Sequence, residues 1–173
     1  MVKLNNINID FDCNKETPYF QATSEQRIRF DMEDLKINLI RKIIEDVFTE
    51  EDKISVIFVS EYIYNKKRYS SKSKVGKIIN IRNWHETVVE DETTGEGEVY
   101  ATIMNLKRED ITNYCSAIYK GHTEAYISFF SDKFLLYVSS DVIDIISNDV
   151  EKIANLKQNY SNLFNKFHEN GNF

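Results

Sequence analysis

Hydrophobic positions recur in two distinct rhythms along this chain. Residues 125–140, AYISFFSDKFLLYVSS, carry two strand-sized blocks of aromatic and β-branched residues. Tyr126, Ile127, Phe129 and Phe130 lie before Ser131-Asp132-Lys133, and Phe134, Leu135, Leu136, Tyr137 and Val138 lie after it. The blocks are nearly continuous, which predicts a central hairpin covered on at least one face. Three other stretches step by three and four residues. Leu35, Leu39, Ile40, Ile43, Ile44, Val47 and Phe48 predict a helix over 32–48, with Asp31 or Asp34 as its cap. Ile111, Tyr114, Cys115, Ile118 and Tyr119 predict a helix over 108–120, stopped by Gly121. Val150, Ile153, Leu156, Tyr160, Leu163, Phe164 and Phe167 predict a last helix over 149–167, with 168–173 fraying.

Shorter apolar runs read as strands at 27–30, 54–63 and 142–146, and 2–11 as a strand or ordered arm. Thr17-Pro18 breaks any element there. A basic stretch over 65–82 reads as a mobile loop up to Lys74, then a strand at 77–81. An acidic hairpin follows, with arms at 84–89 and 99–104 and turn chemistry at 93–97; its tip is too hydrophilic to be buried. Strands interleaved with helices and hairpins predict a single α+β domain over 1–173: a mainly antiparallel sheet of five or six strands with about three helices packed on it.

Composition narrows this picture. A chain of 173 residues with 42% hydrophobic content can bury a real core, and Tyr 10 and Phe 11 supply much of it. Gly 5 and Pro 1 argue against a long flexible linker. Cys13 and Cys115 are too few for a disulfide framework. Neither a signal-peptide pattern nor a bilayer-length apolar run is visible, so the expected setting is a reducing cytoplasm without membrane attachment.

Charge is distributed unevenly. The net charge is -6, which disfavours a nucleic-acid partner and suits a basic protein partner. Lys66, Lys67, Arg68, Lys72 and Lys74 form a block, continued by Lys77 and Arg82, with Tyr62, Tyr64 and Tyr69 alongside. It is an alternative anion-binding site, for nucleic acid or a phosphorylated ligand; the plainer reading is a solvated loop that balances its acidic neighbour. Glu86, Glu90, Asp91, Glu92, Glu96 and Glu98 form the opposing block. They are the candidate partner-binding residues, against the plain reading of a solvated hairpin tip.

Candidate chemistry is sparse. His85, His122 and His168 are far apart, and Val89 stands where a zinc-protease motif starting at His85-Glu86 needs its second histidine. The acidic loop lacks the ligand spacing of a calcium loop. No nucleophile elbow or Gly-rich phosphate loop occurs. Cys115 falls on an apolar stripe as a structural thiol, and Cys13 has no identifiable base. No catalytic residue, metal or cofactor is therefore expected.

Arg29-Phe30-Asp31, then Val47-Phe48-Thr49-Glu50-Glu51-Asp52, then the apolar run 54–59 resemble a family of small uncharacterised cytoplasmic proteins of Gram-positive bacteria. The C-terminal half is similar as well: a helix, a hairpin with an aromatic second strand, a turn, a short Asp-containing strand and a final helix. Here the turn reads Tyr137-Val138-Ser139-Ser140-Asp141-Val142, without the Arg-Gly pair of the family's Tyr-Asp-Asp-Arg-Gly pattern. Small acidic proteins of this kind also resemble immunity proteins, which bind and block a toxin. The resemblance implies a non-enzymatic binding protein whose partner is a basic protein such as a toxin, and it carries no active site. The tyrosines could equally serve a homodimer.

Overall fold

A computed structural model describes residues 2–4, 7–80 and 82–169. Strands β1 (Val2–Leu4) and β2 (Ile9–Phe11) form a small antiparallel ribbon. A one-turn helix α1 (Pro18–Gln21) follows, with the proline at its first turn, where its missing N–H costs nothing. Then come β3 (Arg27–Asp31), α2 (Ile37–Val47), β4 (Ile54–Tyr64), β5 (Lys67–Ser70), β6 (His85–Asp91), β7 (Glu96–Leu106), α3 (Arg108–Tyr119), β8 (Ile127–Phe130), β9 (Phe134–Val138), β10 (Val142–Ser147) and α4 (Val150–Asn159).

Eight strands form one sheet in the order β3-β10-β9-β8-β4-β7-β6, with β5 added beside β4. Every pairing is antiparallel. The α+β class thus holds, with more strands than the five or six expected and a fourth, short helix. The aromatic hairpin β8–β9 lies in the middle of the sheet, as its continuous apolar runs require.

One face of the sheet carries the main core. Phe30, Val56, Phe58, Ile103, Phe129, Leu136 and Ile145 pack beneath Ile40, Ile43 and Ile44 of α2, Ile111 and Cys115 of α3, and Ile153 of α4. The opposite face carries a smaller core in which Ile9 and Phe11 of the ribbon cover Ile57, Val59, Tyr100, Leu135 and Ile146. Both faces of the central strands are therefore dry. Burying side chains of this size contributes roughly 1.5–3 kcal/mol each before conformational entropy is charged against it.

Several boundaries differ from the expectation. The 32–48 helix begins at Ile37, after a 3-10 turn at Met32–Asp34, and Lys36 occupies its N-cap position rather than Asp31 or Asp34. The last helix stops at Asn159 instead of 167. Tyr160 ends it by packing edge-on against Phe30 and donating its hydroxyl to Asp46. The chain then turns so that Asn165 N–H donates to the Arg29 carbonyl (2.8 Å). His168 is held rather than frayed: its carbonyl accepts from Arg27 and its ring meets Tyr19 and Phe20. The rest of the expected fraying segment, 170–173, lies outside the described residues.

The basic stretch also differs. Lys67–Ser70 is strand β5, and Ser71 N–H donates to the Ser60 carbonyl (3.0 Å). Val75–Lys77 is a 3-10 turn in place of the strand expected at 77–81; Val75 within it and Ile79 just after it enter the main core. Ile81 lies outside the described residues.

Candidate interaction site

Strands β4 and β7 are each 11 residues long, more than the core can cover. Their far ends, with β5 and β6, form a sheet end that stands in solvent. One extra residue sets which side chains face which way. Val59 pairs with Tyr100 and Glu61 with Val99, so Ser60 is a β-bulge, and its hydroxyl donates to the Val99 carbonyl (3.1 Å). Beyond it, Tyr62 joins the ribbon-covered face, while Ile63 points toward the helices' side.

Strand alternation then divides the acidic block instead of gathering it. Glu98 lies opposite Tyr62 and Val89, and Gly97 opposite Ile63 and Glu90. Glu86 and Glu90 accordingly share one face, and Asp91, Glu96 and Glu98 the other, with Glu92 in the turn. The tip is exposed as its hydrophilicity requires, but Glu98 at its base is only 8% exposed. Its Oε1 accepts from Asn14 Nδ2 at 2.7 Å, so this buried carboxyl has a hydrogen-bond partner. Glu86 is exposed and paired with Arg68 (3.2 Å), which also reaches Glu61 (3.5 Å). Asp91 Oδ1 accepts from Thr93 N–H (2.8 Å) and Thr94 N–H (3.3 Å), so this carboxylate shapes the turn. Glu90, Asp91, Glu92 and Glu96 are exposed, and none forms an ion pair among the described residues.

The basic tip sits directly against the acidic one. Asn65 and Lys66 take left-handed backbone angles (φ 50 and 62) at the β4–β5 turn. Lys66 N–H donates to the Gly95 carbonyl at 2.9 Å. Lys66, Lys67, Lys72 and Lys74 are exposed, and Arg68 is spent on its two glutamates. Tyr62, Tyr64 and Tyr69 form a short aromatic ladder, with centroids 6.5 and 6.1 Å apart. Tyr64 and Tyr69 are 52% and 51% exposed, unusual for rings of that size.

The ribbon end adds a cluster that sequence spacing does not reveal. Ligand atoms of Asp12, Cys13 and Glu98 lie within 4.8 Å of one another. Tyr100 accepts from Cys13 N–H (3.2 Å) and donates to Cys13 Sγ (3.6 Å). Burial pushes the Cys13 thiol up to about 11, with Glu98 and Asp12 adding to the rise and Tyr100 opposing it. Such a thiol stays protonated at neutral pH and is a poor nucleophile. Burial alone pushes Cys115 up to about 12, in keeping with its structural role.

A buried ion pair lies at the opposite edge of the sheet. Asp144, fully buried on β10, accepts from Arg29 Nε (2.7 Å) and NH2 (2.8 Å). The Arg27 and Arg29 guanidiniums lie 4.2 and 4.1 Å from the centroid of the Tyr19 ring. Burial pushes the Asp144 carboxyl up to about 6 despite the pull of Arg29. A lone acid within the apolar run VIDII was the available signal.

The histidines are not brought together. His85 is exposed on β6, His122 Nε2 lies 2.9 Å from the Ser73 carbonyl, and His168 packs on Tyr19 and Phe20. His85-Glu86 sits on a strand, which removes the helical geometry that a zinc-protease motif needs. A cleft of about 800 Å³ lies beside the start of α3, lined by Asn80, Asn83, Asn105, Lys107 and Asp110 among others. Asp110 is engaged there as a cap, accepting from Lys107 N–H (2.9 Å), and His85 does not line the cleft.

No protein-family model, curated protein or solved structure matches this chain. Among the described residues, no helix is long and apolar enough to cross a membrane. The sheet end formed by β4–β5 and β6–β7 thus stands on its own geometry: exposed tyrosines, four exposed carboxylates and a basic tip docked beside them.

Proposed function

We propose that this protein is a non-enzymatic cytoplasmic binding protein, an immunity-type inhibitor that blocks a basic protein such as a toxin through the hairpin end of its sheet. One observation carries the reading. Glu90, Asp91, Glu92 and Glu96 project into solvent without ion pairs among the described residues, beside exposed Tyr64 and Tyr69. Tyrosine rings give contact area at low entropic cost, and carboxylates of one sign steer a basic partner and fix its orientation. The fold beneath holds the tips in place, because each hairpin continues a strand anchored in the core.

The test is a pull-down from the native host with wild-type protein and with the Glu90→Lys, Glu92→Lys, Glu96→Lys triple variant. Affinity for the captured partner is then measured at low and high salt. The expected result is a fall of at least about tenfold in affinity and a flattened salt dependence for the variant. Equal affinity and equal salt dependence would remove the tips from the interface.

The ladder of Tyr62, Tyr64 and Tyr69 beside Lys66 and Lys67 favours a second reading, in which bases stack on the rings and lysines meet phosphates. The Lys66–Gly95 contact weighs against it, since it sets the acidic turn against the basic one and would repel a phosphate backbone. A gel shift with single-stranded RNA separates the two readings, because phosphate contacts weaken steeply with salt.

A further inference from the structure

The two ends of the main sheet are treated differently. At one end, β3 is capped by the C-terminal segment, where Asn165 N–H donates to the Arg29 carbonyl (2.8 Å). At the other end, β6 pairs with β7 alone and has no strand on its outer side among the described residues. It is seven residues long, His-Glu-Thr-Val-Val-Glu-Asp, and contains no proline, lysine or arginine. Charged side chains and proline are the usual means of closing an edge to other chains; here every charge is acidic, Glu86, Glu90 and Asp91, which guards the edge against acidic or like chains but not against a basic one. The short edge strand β5 carries basic charges instead, Lys67 and Arg68.

We propose that β6 is a docking edge for an extended, basic segment of a partner protein, which adds to the sheet as a further antiparallel or parallel strand. The proposal rests on the protein-binding reading above and specifies its geometry. Backbone groups along the open side of β6 supply the pairing, while Glu86, Glu90 and Asp91 flank them with negative charge on both faces of the strand. Exposed Val88 at the centre of the strand offers an apolar contact between the two flanking acids. On one face, a lysine or arginine of the incoming strand meets Glu90, which forms no ion pair among the described residues, and another shares Glu86 with Arg68.

The same charges oppose a homodimer formed through this edge. The fullest two-fold antiparallel overlap is centred on Val88 and sets Glu86 of one copy opposite Glu90 of the other. Like charges directly opposed across two strands are destabilising. The edge is thus closed to itself and open to a basic strand.

The test uses the full chain and a soluble octapeptide of alternating lysine and valine, blocked at both ends. A control is the same peptide N-methylated on every backbone nitrogen, which keeps its charge and side chains but cannot donate to a strand. Binding is followed by amide chemical shifts and hydrogen exchange. The expected result is that the first peptide binds at least about tenfold more tightly than its N-methylated form and slows exchange selectively in β6. Val88→Lys, which leaves every acid in place, abolishes that difference by placing a like charge on the edge. Equal binding of both peptides would overturn strand addition while leaving the charge-steered reading of the tips intact. No binding of the first peptide, or protection confined to β5, would overturn it as well.

Discussion

Lys66 and Gly95 join two hairpins of opposite charge. The N–H of Lys66 donates to the Gly95 carbonyl at 2.9 Å, and Gly95 has φ +71, a backbone region that suits glycine. A Cβ at Gly95 would lie 3.3 Å from Lys66 Cγ, so the two tips are in close contact. A backbone hydrogen bond thus ties the basic tip directly to the acidic turn.

Gly97 is the more sensitive glycine. A Cβ there would sit 2.0 Å from the Val89 carbonyl oxygen and 2.8 Å from Glu90 Cα, both backbone atoms. Gly97→Ala is expected to push β6 off β7 and cost about 1–3 kcal/mol. Urea unfolding gives the loss, and hydrogen exchange places it, with β6 amides losing protection first.

Glu98 and Glu92 belong to one acidic block in sequence but have different roles in the fold. Glu98→Ala removes a buried side chain together with its hydrogen bond from the exposed Asn14 amide, and is expected to cost about 0.5–1.5 kcal/mol. Glu92→Ala, fully in solvent at the turn, is expected to stay within about 0.5 kcal/mol of wild type. Paired urea melts of the two variants check the contrast.

Arg29→Met removes the cation from a carboxylate that has no access to water. The expected loss is about 3–5 kcal/mol at pH 7. Without its partner, Asp144 has a folded-state pKa raised further above its unfolded value. Stability tied to such a group is complete below the unfolded pKa and is lost as pH rises through the folded one. The variant is therefore expected to regain part of its loss at pH 5, which unfolding curves at the two pH values will show.

The thiols predict behaviour at the alkaline end. The folded chain holds Cys13 up to about 11 and Cys115 up to about 12, both above the ordinary value of 9.0. Iodoacetamide should label Cys13 in the native protein at pH 8 about a hundredfold more slowly than in urea. The same sign rule holds: the contribution of these thiols is full below pH 9 and declines as pH climbs toward 11. Mass spectrometry of labelled protein and unfolding at pH 8 and pH 10.5 test both statements.

Much of the fold is legible from local pattern. The blocks around Ser131-Asp132-Lys133 become β8 and β9 because continuous β-branched and aromatic residues fit only a strand buried on both sides. The stripe through Ile40, Ile43, Ile44 and Val47 becomes α2 because its period matches a helix laid on a sheet. Strand β5 escapes such reading, since Lys67-Arg68-Tyr69-Ser70 buries nothing and exists because β4 runs on far enough to pair with it. The end of α4 escapes it too, because the stripe continues past Asn159 while Tyr160 is captured by Phe30 and Asp46. At the candidate site, the charge blocks are plain in the sequence. Their division is not, because it depends on Asn14 reaching Glu98 across 84 positions of chain and on strand register.

Ser60 has a consequence for everything displayed at the solvent end of the sheet. It is the one extra residue between Val59 and Glu61, so it reverses the parity of the strand beyond it. Were Ser60 paired like its neighbours rather than bulged, Tyr62 and Tyr64 would pass to the helix-bearing side and Ile63 would turn toward the N-terminal ribbon, whereas deleting it would close the bulge and leave all three where they are. The molecule's outward chemistry at that end is in this sense a matter of odd and even, decided by how a single half-buried small residue is seated in its strand.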